Sequence, residues 1–306
     1  MVDVVVAGLV CRDLVVAVDA LPGSGSAPVT TRTETLGGAA NIAVGARQLG
    51  LSAALVGVVG QDAAADLVLT RARADGLGVA GVARRPGGTT PLVVAVVEEG
   101  GTHRLLEHVP AECLLTPADV RAGAGLLASA RAVVADLQQP DDAVAETVRV
   151  AAAGGALVVL DGAPDEPEAF TDLLPSVAVL RADDDEAGAY LGRRLDGVAD
   201  AVEAARELRA AGPAVVALAA GPEGNVVAWE GGHRVYPLLG GDPVDATGGG
   251  DAFVAGLVRG LLAGSGAETA GWWASAAAAL TVARLGGRPD LDVERVAALA
   301  DRAAQG

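Results

Sequence analysis

Continuous apolar runs alternate with amphipathic stretches along most of the chain. Residues 2–9 and 53–60 are rich in Val, Ala and Leu, and such uninterrupted runs are typical of strands buried on both faces of a parallel sheet. Residues 39–50 and 141–153 instead have the apolar spacing of helices. Because strands and helices alternate in this way, we predict a single α/β domain over residues 1–306, built on an open, mostly parallel sheet.

Two stretches depart from that alternation. Residues 10–35 contain β-like runs on both sides of the loop LPGSGSAP, and residues 89–106 contain two β-rich runs separated by EEGG. The second stretch has the pattern of a hairpin. We expect the two stretches to pair with each other as a small sheet outside the main layer.

Composition and charge exclude several classes of function. The chain carries a formal net charge of −17 and contains no lysine, so all 22 residues counted as Lys+Arg are arginine. A P-loop nucleotide site, a protein-kinase site and Schiff-base chemistry each need a lysine. The acidic balance also disfavours nucleic acid and anionic membrane surfaces as partners.

Other compositional features favour a cytoplasmic protein. Cys11 and Cys113 share no metal-binding or disulfide pattern, so we expect two reduced thiols. The three histidines lack the spacing of a zinc site. The first residues lack the basic segment of a signal peptide, and no apolar run is long enough to span a bilayer.

The sharpest chemical feature is DATGGGDAF at residues 245–253, where three glycines precede an aspartate and a stretch with helical spacing. The N-terminus of a helix offers unpaired N–H groups, and glycines let the backbone curl around an anion. Gly248, Gly249 and Gly250 are therefore candidates for an anion hole. Asp251 is a candidate general base for a hydroxyl that attacks a phosphoryl group. The alternative is that Asp251 merely caps the helix.

A second feature is GGAAN at residues 37–41, at the start of a predicted helix. Asn41 has both donors and an acceptor, which suits sugar hydroxyls, and the alternative is a strand-to-helix turn with a capping Asn. By contrast, GLGVAG at residues 76–81 matches the glycine pattern of a dinucleotide site but follows a helix-like stretch rather than a strand. We interpret it as a helix end and a turn.

As a pair, GGAAN and DATGGGDAF resemble the two signatures of the ribokinase-like (PfkB) carbohydrate kinases, and the resemblance covers nearly the whole chain. It implies a central sheet flanked by helices, with residues 10–35 and 89–106 forming a small β lid over the substrate. It also implies transfer of the γ-phosphate of ATP to a hydroxymethyl group of a small sugar, as in ribokinases and fructokinases, with Mg²⁺ bound beside the phosphates.

The resemblance implies a sugar-binding role for five residues. Asp13 lies five residues after the glycine that ends the first predicted strand, as does the family's sugar-binding Asp, and Gly37, Gly38 and Asn41 match the rest of the sugar clamp. Gln138 stands where ribokinase has a sugar-binding Glu. Because a Gln side chain accepts without a charge, this departure argues against ribose as the preferred sugar.

On the nucleotide side, Gly221 and Gly224 in LAAGPEG resemble the family's nucleotide-binding turn. The resemblance also implies that Gly248 and Gly250 contact ATP. Ala219 is a departure, because a Thr is common at that place beside the nucleotide.

The resemblance further implies two cation sites. The family's NxxE motif, which lies near magnesium and phosphate, is DDDE at residues 183–186. Asp183 therefore takes the place of an Asn that contacts ATP, whereas Glu186 keeps its place near Mg²⁺, bound directly or through water. Asp245 and Thr247 lie where the family often binds a monovalent cation such as K⁺.

The residues bear on three classes of acceptor, which are a nucleoside, a phosphorylated sugar and a neutral sugar. Neither predicted lid stretch contains Phe, Tyr or Trp, on which a nucleoside base commonly stacks. A phosphorylated sugar would need cations at the mouth of the site, but we interpret Arg12, Arg32 and Arg104 as surface charges. We therefore expect a neutral sugar, with a nucleoside kinase of the same fold as one alternative. A non-catalytic scaffold or regulator is the other, and the retained GGGD sequence disfavours it.

A lid sheet would leave strand edges and an apolar face open. Pairing of the lids of two copies would cover both. We therefore predict a homodimer formed through the lid.

Overall fold

The computed structural model describes residues 1–21, 24–98 and 103–306. Within these ranges the strands are β1 (Val4–Ala7), β2 (Cys11–Val18), β3 (Thr31–Gly37), β4 (Ala53–Gly60), β5 (Gly78–Arg85), β6 (Leu92–Glu98), β7 (His103–His108), β8 (Ala132–Asp136), β9 (Leu157–Asp161), β10 (Val179–Ala182), β11 (Val215–Ala219), β12 (Asn225–Trp229) and β13 (Gly232–Tyr236). The α-helices are α1 (Ala40–Gln48), α2 (Ala63–Ala74), α3 (Pro117–Ala122), α4 (Ala124–Ala128), α5 (Asp141–Ala153), α6 (Asp184–Leu191), α7 (Gly197–Ala210), α8 (Gly249–Leu262), α9 (Ala267–Val282) and α10 (Val293–Gln305).

The described part of the chain builds a central sheet of nine strands in the order β13-β12-β11-β10-β9-β8-β1-β4-β5. Neighbouring strands from β11 to β5 run parallel, and β12 and β13 add an antiparallel hairpin at one edge. The chain proceeds from β1 to β4 on one side and later returns to β8 on the other. The carboxyl end of β1 is therefore a point where the strand order reverses, which is where open α/β sheets form ligand crevices.

The small sheet lies outside this layer, in the order β3-β2-β6-β7. Strand β2 from the first predicted stretch pairs in parallel with β6 from the second, so the predicted pairing is confirmed. Side chains alternate across it: Asp13 and Val15 are buried, whereas Leu14 and Val16 are partly exposed. The EEGG turn of the predicted hairpin lies largely outside the described residues, but β6 and β7 pair antiparallel as a hairpin requires.

Helices cover both faces of the central sheet, as a parallel sheet of apolar strands requires. Helices α1, α2, α8, α9 and α10 pack on one face and α3 to α7 on the other, and the core is mainly Ala, Val and Leu. Helices α8 and α9 approach closely because Gly256 and Gly260 lack side chains. A Cβ atom on Gly256 would lie 2.5 Å from the carbonyl oxygen of Trp273. This close packing holds the second half of α8 against α9.

Most predicted elements are present close to their predicted bounds. The helix predicted at 39–50 is α1, and that predicted at 141–153 is α5. The interpretation of GLGVAG as a helix end and turn is confirmed, because Gly76 follows α2 with a φ of +78° and Gly78 begins β5. Among the described residues, no helix is both long and apolar enough to cross a bilayer.

Candidate active site

A cavity of about 270 Å³ lies between the small sheet and the carboxyl ends of β1, β8, β9 and β10. It brings together residues that the sequence places far apart. The predicted site residues that line it are Asp13, Gly38, Asn41, Gln138, Glu186, Thr247, Gly248, Gly250 and Asp251. We call it the first cavity.

The N-terminus of α8 forms one wall of the first cavity. Its N-cap residue, Gly248, has a left-handed φ of +73°, and a Cβ atom there would overlap the carbonyl of Gly287. The N–H of Gly249 donates to the carbonyl of Ala246 at 3.3 Å. Within the described part of the chain, the next two N–H groups of the helix, at positions 250 and 251, have no acceptor. They are available to an anion.

Asp251 lies on the first turn of α8 and is joined to α1 by a hydrogen bond. The Asn41 Nδ2 atom donates to the Asp251 Oδ2 atom at 3.3 Å. The Oδ1 atom of Asn41 is buried and has no partner among the described residues, so it is free to accept from a bound hydroxyl. Burial, and secondarily the nearby charge of Asp161, raise the pKa of Asp251 to about 8.

The carboxylates of Asp13 and Asp136 also line the first cavity. Asp13 projects from β2, and it is buried because Gly37 on the neighbouring strand leaves room for its side chain. Burial, and then the charge of Asp245, raise the pKa of Asp13 to about 6. Asp136 ends β8 and accepts N–H donors from Leu9 and from residue 138, each at 2.9 Å. Burial raises the pKa of Asp136 to about 6.

The acidic sequence DDDE begins α6. Asp183 is the N-cap residue, and its carboxylate accepts the N–H of Glu186 at 2.8 Å while the Glu186 carboxylate accepts the N–H of Asp183 at 2.7 Å. This reciprocal pair is a capping box. Glu186 lines the first cavity, and burial raises its pKa. Asp183 lies beside the cavity rather than among its lining residues, and its contact with ATP stays a prediction.

A second cavity, of about 320 Å³, lies between α8, α9 and the turn that follows β11. Gly221 and Gly224 line it, as do Gly249 and the apolar side chain of Phe253. The two cavities share Arg181 and Gly250 among their lining residues. The second cavity therefore also reaches the N-terminus of α8.

The loop before α8 contains a buried polar group without a partner. Asp245 is buried and accepts N–H donors from Thr247 and Gly286, each at 2.9 Å. The Thr247 Oγ1 atom is buried and has no hydrogen-bond partner among the described residues. Oxygen atoms of this kind are the ligands of hard monovalent cations, so this loop fits the cation site that the sequence implied.

Three residues of the site were missed by the sequence analysis. Asp136, Asp161 and Arg181 all lie at or near the carboxyl ends of buried strands and line the first cavity. The signal that could have found them is a charge within or directly after an apolar run, because such a charge is expensive to bury without a partner.

Comparison with known proteins decides the family. The chain matches the model of the pfkB family of carbohydrate kinases over residues 1–294. It belongs to this family. The resemblance that the two motifs suggested is thus confirmed, and this pfkB-family protein is an ATP-dependent carbohydrate kinase.

Two curated relatives and one solved structure are similar to this chain over most of its length. The ATP-dependent ribose-1-phosphate kinase of Halopiger xanaduensis is 30% identical over 97% of this chain and 98% of its own length. The bifunctional ribokinase/ribose-5-phosphate isomerase A of Fructilactobacillus sanfranciscensis is 27% identical over 85% of this chain, which spans only 49% of that protein. The structure of Arabidopsis thaliana ribokinase complexed with ribose and ATP is 22% identical, covers 98% of each chain and has a TM-score of 0.79. That structure supports the fold.

Proposed function

We propose that this kinase transfers the γ-phosphoryl group of ATP to a hydroxymethyl oxygen of a small neutral sugar. The observation that carries the proposal is the N-terminus of α8, where Asp251 and two free N–H groups stand at the junction of the two cavities. Sugar in the first cavity and ATP in the second would meet there. Phosphoryl transfer depends mostly on positioning and electrostatic stabilisation, which this junction can supply.

Asp251 is the general base in this proposal. The acceptor oxygen forms a bond to the γ-phosphorus while the bond from that phosphorus to the β,γ-bridging oxygen breaks. The electron pair of the broken bond stays on the bridging oxygen, which leaves on ADP, and the hydroxyl proton passes to Asp251. The glycines 248–250 form the anion hole, in which the N–H groups of residues 250 and 251 stabilise the phosphoryl oxygens.

The sugar is held from both sides of the first cavity. Asp13 supplies a carboxylate acceptor from the small sheet, and Asn41 supplies its free amide oxygen. Gln138 lies exposed at the cavity wall and adds a neutral donor and acceptor. Gly37 and Gly38 act indirectly, since Gly37 makes room for Asp13 and Gly38 lines the cavity without a side chain.

The second cavity is the site that we propose for the nucleotide. Gly221 and Gly224 shape its entrance turn, and Asp183 lies beside the phosphate end. Magnesium binds through one or two carboxylates together with substrate phosphates. Glu186, with its carboxylate in the first cavity near the junction, fits that requirement, and the metal would neutralise charge on the phosphates when bound. Asp245 and Thr247 would hold K⁺ under the anion hole.

The electrostatics of the first cavity favour a neutral acceptor. Arg12 and Arg32 are both paired with Glu34, the latter at 3.1 Å, and Arg104 lies 3.7 Å from Glu98. None of these arginines is among the described residues that line the cavity. Among the described residues, the one arginine that lines the first cavity is Arg181, and it is paired with Asp161. A phosphate group already on the sugar would therefore face carboxylates and no unpaired cation.

Two other acceptors remain as candidates. The 30% identity to a protein named as a ribose-1-phosphate kinase makes a sugar phosphate the second candidate. A nucleoside is less favoured because no aromatic side chain is among the described residues that line the first cavity, so a base would find no ring to stack on.

The outer face of the small sheet supports a homodimer. Leu14, Val94 and Val96 on this face are partly exposed, and Leu106 is 63% exposed. A second copy of the sheet would cover these apolar side chains. A monomeric mass by light scattering at micromolar concentration would rule out this assembly. We further propose that the protein acts in the cytoplasm.

Release of ADP from Mg-ATP over a panel of acceptors tests the proposed function. The panel contains pentoses, hexoses, ketoses, sugar acids, sugar phosphates and nucleosides, with K⁺ present. Turnover of a neutral sugar by the wild type, but not by Asp251→Asn, is the expected result. Faster turnover of a sugar phosphate or a nucleoside would identify that compound, rather than a neutral sugar, as the acceptor. If the panel gave no turnover although ATP was bound, a non-catalytic role would be favoured.

A further inference from the structure

Arg181 lies where the two cavities meet. It is the third residue of β10, and among the described residues it is the only basic side chain that lines either cavity. The chain has no lysine that could take over its part. Among the described residues of a site that also contains Asp13, Asp136 and Asp251, it is the single positive charge.

The side chain of Arg181 reaches the anion hole. A Cβ atom built on Gly250 would lie only 2.6 Å from the Nη2 atom of Arg181. The guanidinium therefore lies against the backbone whose N–H groups are free. Gly250, the third glycine of the motif, leaves room for Arg181, because any side chain at this position would displace the arginine.

Two carboxylates hold the guanidinium in this place. The Nη1 atom of Arg181 donates to Asp161 Oδ1 at 3.1 Å and lies 3.8 Å from Glu186 Oε2. Arginine keeps its positive charge in proteins, and the two carboxylates offset the burial of that charge. The side chain is thus charged and oriented before any ligand binds.

We propose that Arg181 is a catalytic residue that contacts the transferring phosphoryl group, with Asp161 as its positioning residue. This rests on the proposed function above. A planar guanidinium with several N–H donors suits phosphoryl oxygens, and a fixed positive charge in a site shielded from water stabilises the negative charge on the transferring group. It also offsets the repulsion that a chain of net charge −17 exerts on ATP.

The competing explanation is that Arg181 only neutralises Asp161, the carboxylate to which it donates a hydrogen bond. Glu186, at 3.8 Å, keeps its hydrogen bond with the N–H of Asp183 in either variant. A double-variant series separates the two roles. Arg181→Gln leaves Asp161 without its ion pair, and adding Asp161→Asn removes the unpaired charge again. If neutralisation were the whole role, the double variant would regain both thermal stability and turnover. If Arg181 contacts the phosphoryl group, stability returns but turnover does not.

The first measurement is the affinity for Mg-ATP and Mg-ADP by calorimetry, which needs no acceptor. Because charge-assisted hydrogen bonds are strong, Arg181→Gln should weaken ATP binding about tenfold more than ADP binding, in the single and the double variant alike. Arg181→Lys should recover part of the difference. Arg302→Gln, on the exposed face of α10, is the matched control and should change neither affinity.

The second measurement is turnover of the acceptor found in the panel. Loss of one stabilising donor predicts a fall in kcat of about 10²–10³-fold for Arg181→Gln and for the double variant. Recovery of kcat in the double variant, or equal losses of ATP and ADP affinity, would overturn the proposal. If the wild type phosphorylates no acceptor, the proposed function fails, and the nucleotide affinities still decide whether Arg181 contacts the γ-phosphate.

Discussion

The side-chain amide of Asn41 donates a 3.3 Å hydrogen bond to the carboxylate of Asp251 across 210 positions of sequence. This bond joins the start of α1 to the start of α8, the helices that carry the two glycine-containing motifs. It leaves one amide oxygen of Asn41 free and turns the carboxylate toward the same cavity. A residue of the proposed sugar clamp thus also orients the proposed base.

The first prediction concerns the replacement of Asp251 by Asn. The amide has the same shape but cannot accept the hydroxyl proton, so kcat should fall by about 10²–10⁴-fold while the KM values for sugar and ATP change little. Initial rates with the preferred acceptor measure this. Asp301→Asn on α10 is an exposed control and should leave kcat unchanged. Turnover that survived in Asp251→Asn would place the base elsewhere.

The second prediction concerns the pH dependence of catalysis. The base must be ionised to accept a proton, and burial raises the pKa of Asp251 to about 8. The acid limb of the kcat/KM profile should therefore lie near pH 8, with activity falling as pH decreases below it. Steady-state kinetics from pH 5 to 10 measure the limb. A limb near pH 4 would show that the carboxylate is not shielded in the working enzyme.

The third prediction concerns the folding stability that is lost when Asp251, with its raised pKa, becomes ionised. The folded-state pKa of Asp251, about 8, exceeds its ordinary value of 3.8, so the folded protein binds this proton more tightly than the unfolded chain does. The stability contributed by the protonated group is full below pH 4 and is lost as pH rises through 8. Asp251→Asn should therefore gain stability relative to wild type between pH 5 and 9, on the order of a few kcal/mol.

Unfolding midpoints of ligand-free wild type and Asp251→Asn at pH 5, 7 and 9 measure this difference. Asp301→Asn should show no such trend, because the carboxylate of Asp301 is exposed. A stability difference that did not change with pH would mean that Asp251 titrates at its ordinary pKa in the folded protein.

The two motifs could be found from the sequence because each is a local pattern with a local reason. Glycines before a helix predict close approach of an anion wherever the helix lies. Asp136, Asp161 and Arg181 are different, because their meaning depends on which strand ends adjoin. The order β10-β9-β8-β1 is set by packing between distant segments, and no local spacing encodes it. Arg181 can be noticed in the sequence because it is a charged residue in the apolar run AVLRAD. The sequence does not show which residues pair with it.

The small sheet is a second case in which the sequence predicts the elements but not how they are placed relative to each other. The sequence predicted that residues 10–35 and 89–106 would pair, and β2 and β6 do so. The register is what places Asp13 beside Val93 and Val93 beside Glu107, so that all three line the first cavity. A shift of one residue would turn Asp13 to the outer face. Hydrophobic alternation in β2 specifies this register, but only once the buried face is known.

The fourth prediction concerns Gly250→Ala. The added methyl group would meet the Arg181 guanidinium at 2.6 Å, so the arginine must move away from the anion hole. The helix itself accepts Ala, and the fold should persist. Since small displacements of catalytic groups are costly, kcat should fall about 10²-fold. Gly125→Ala in α4 is the matched control, because a Cβ atom there meets open space and should stabilise the helix by about 0.5–1 kcal/mol. Full activity in Gly250→Ala would mean that Arg181 is not needed where it lies.

The fifth prediction concerns a monovalent cation at Asp245 and Thr247. The buried Thr247 Oγ1 atom has no partner among the described residues, and the loop that carries it leads into the anion hole through Gly248. Potassium bound there would order this loop, so kcat should rise with KCl when tetramethylammonium chloride keeps the ionic strength constant. Thr247→Val keeps the shape of the side chain but removes the ligand oxygen, and the stimulation should be lost. Thr147→Val in α5 removes a buried hydroxyl that bonds within its own helix at 2.9 Å, so its response to KCl should match wild type. A wild-type rate that is independent of the cation would exclude a monovalent ion from this loop.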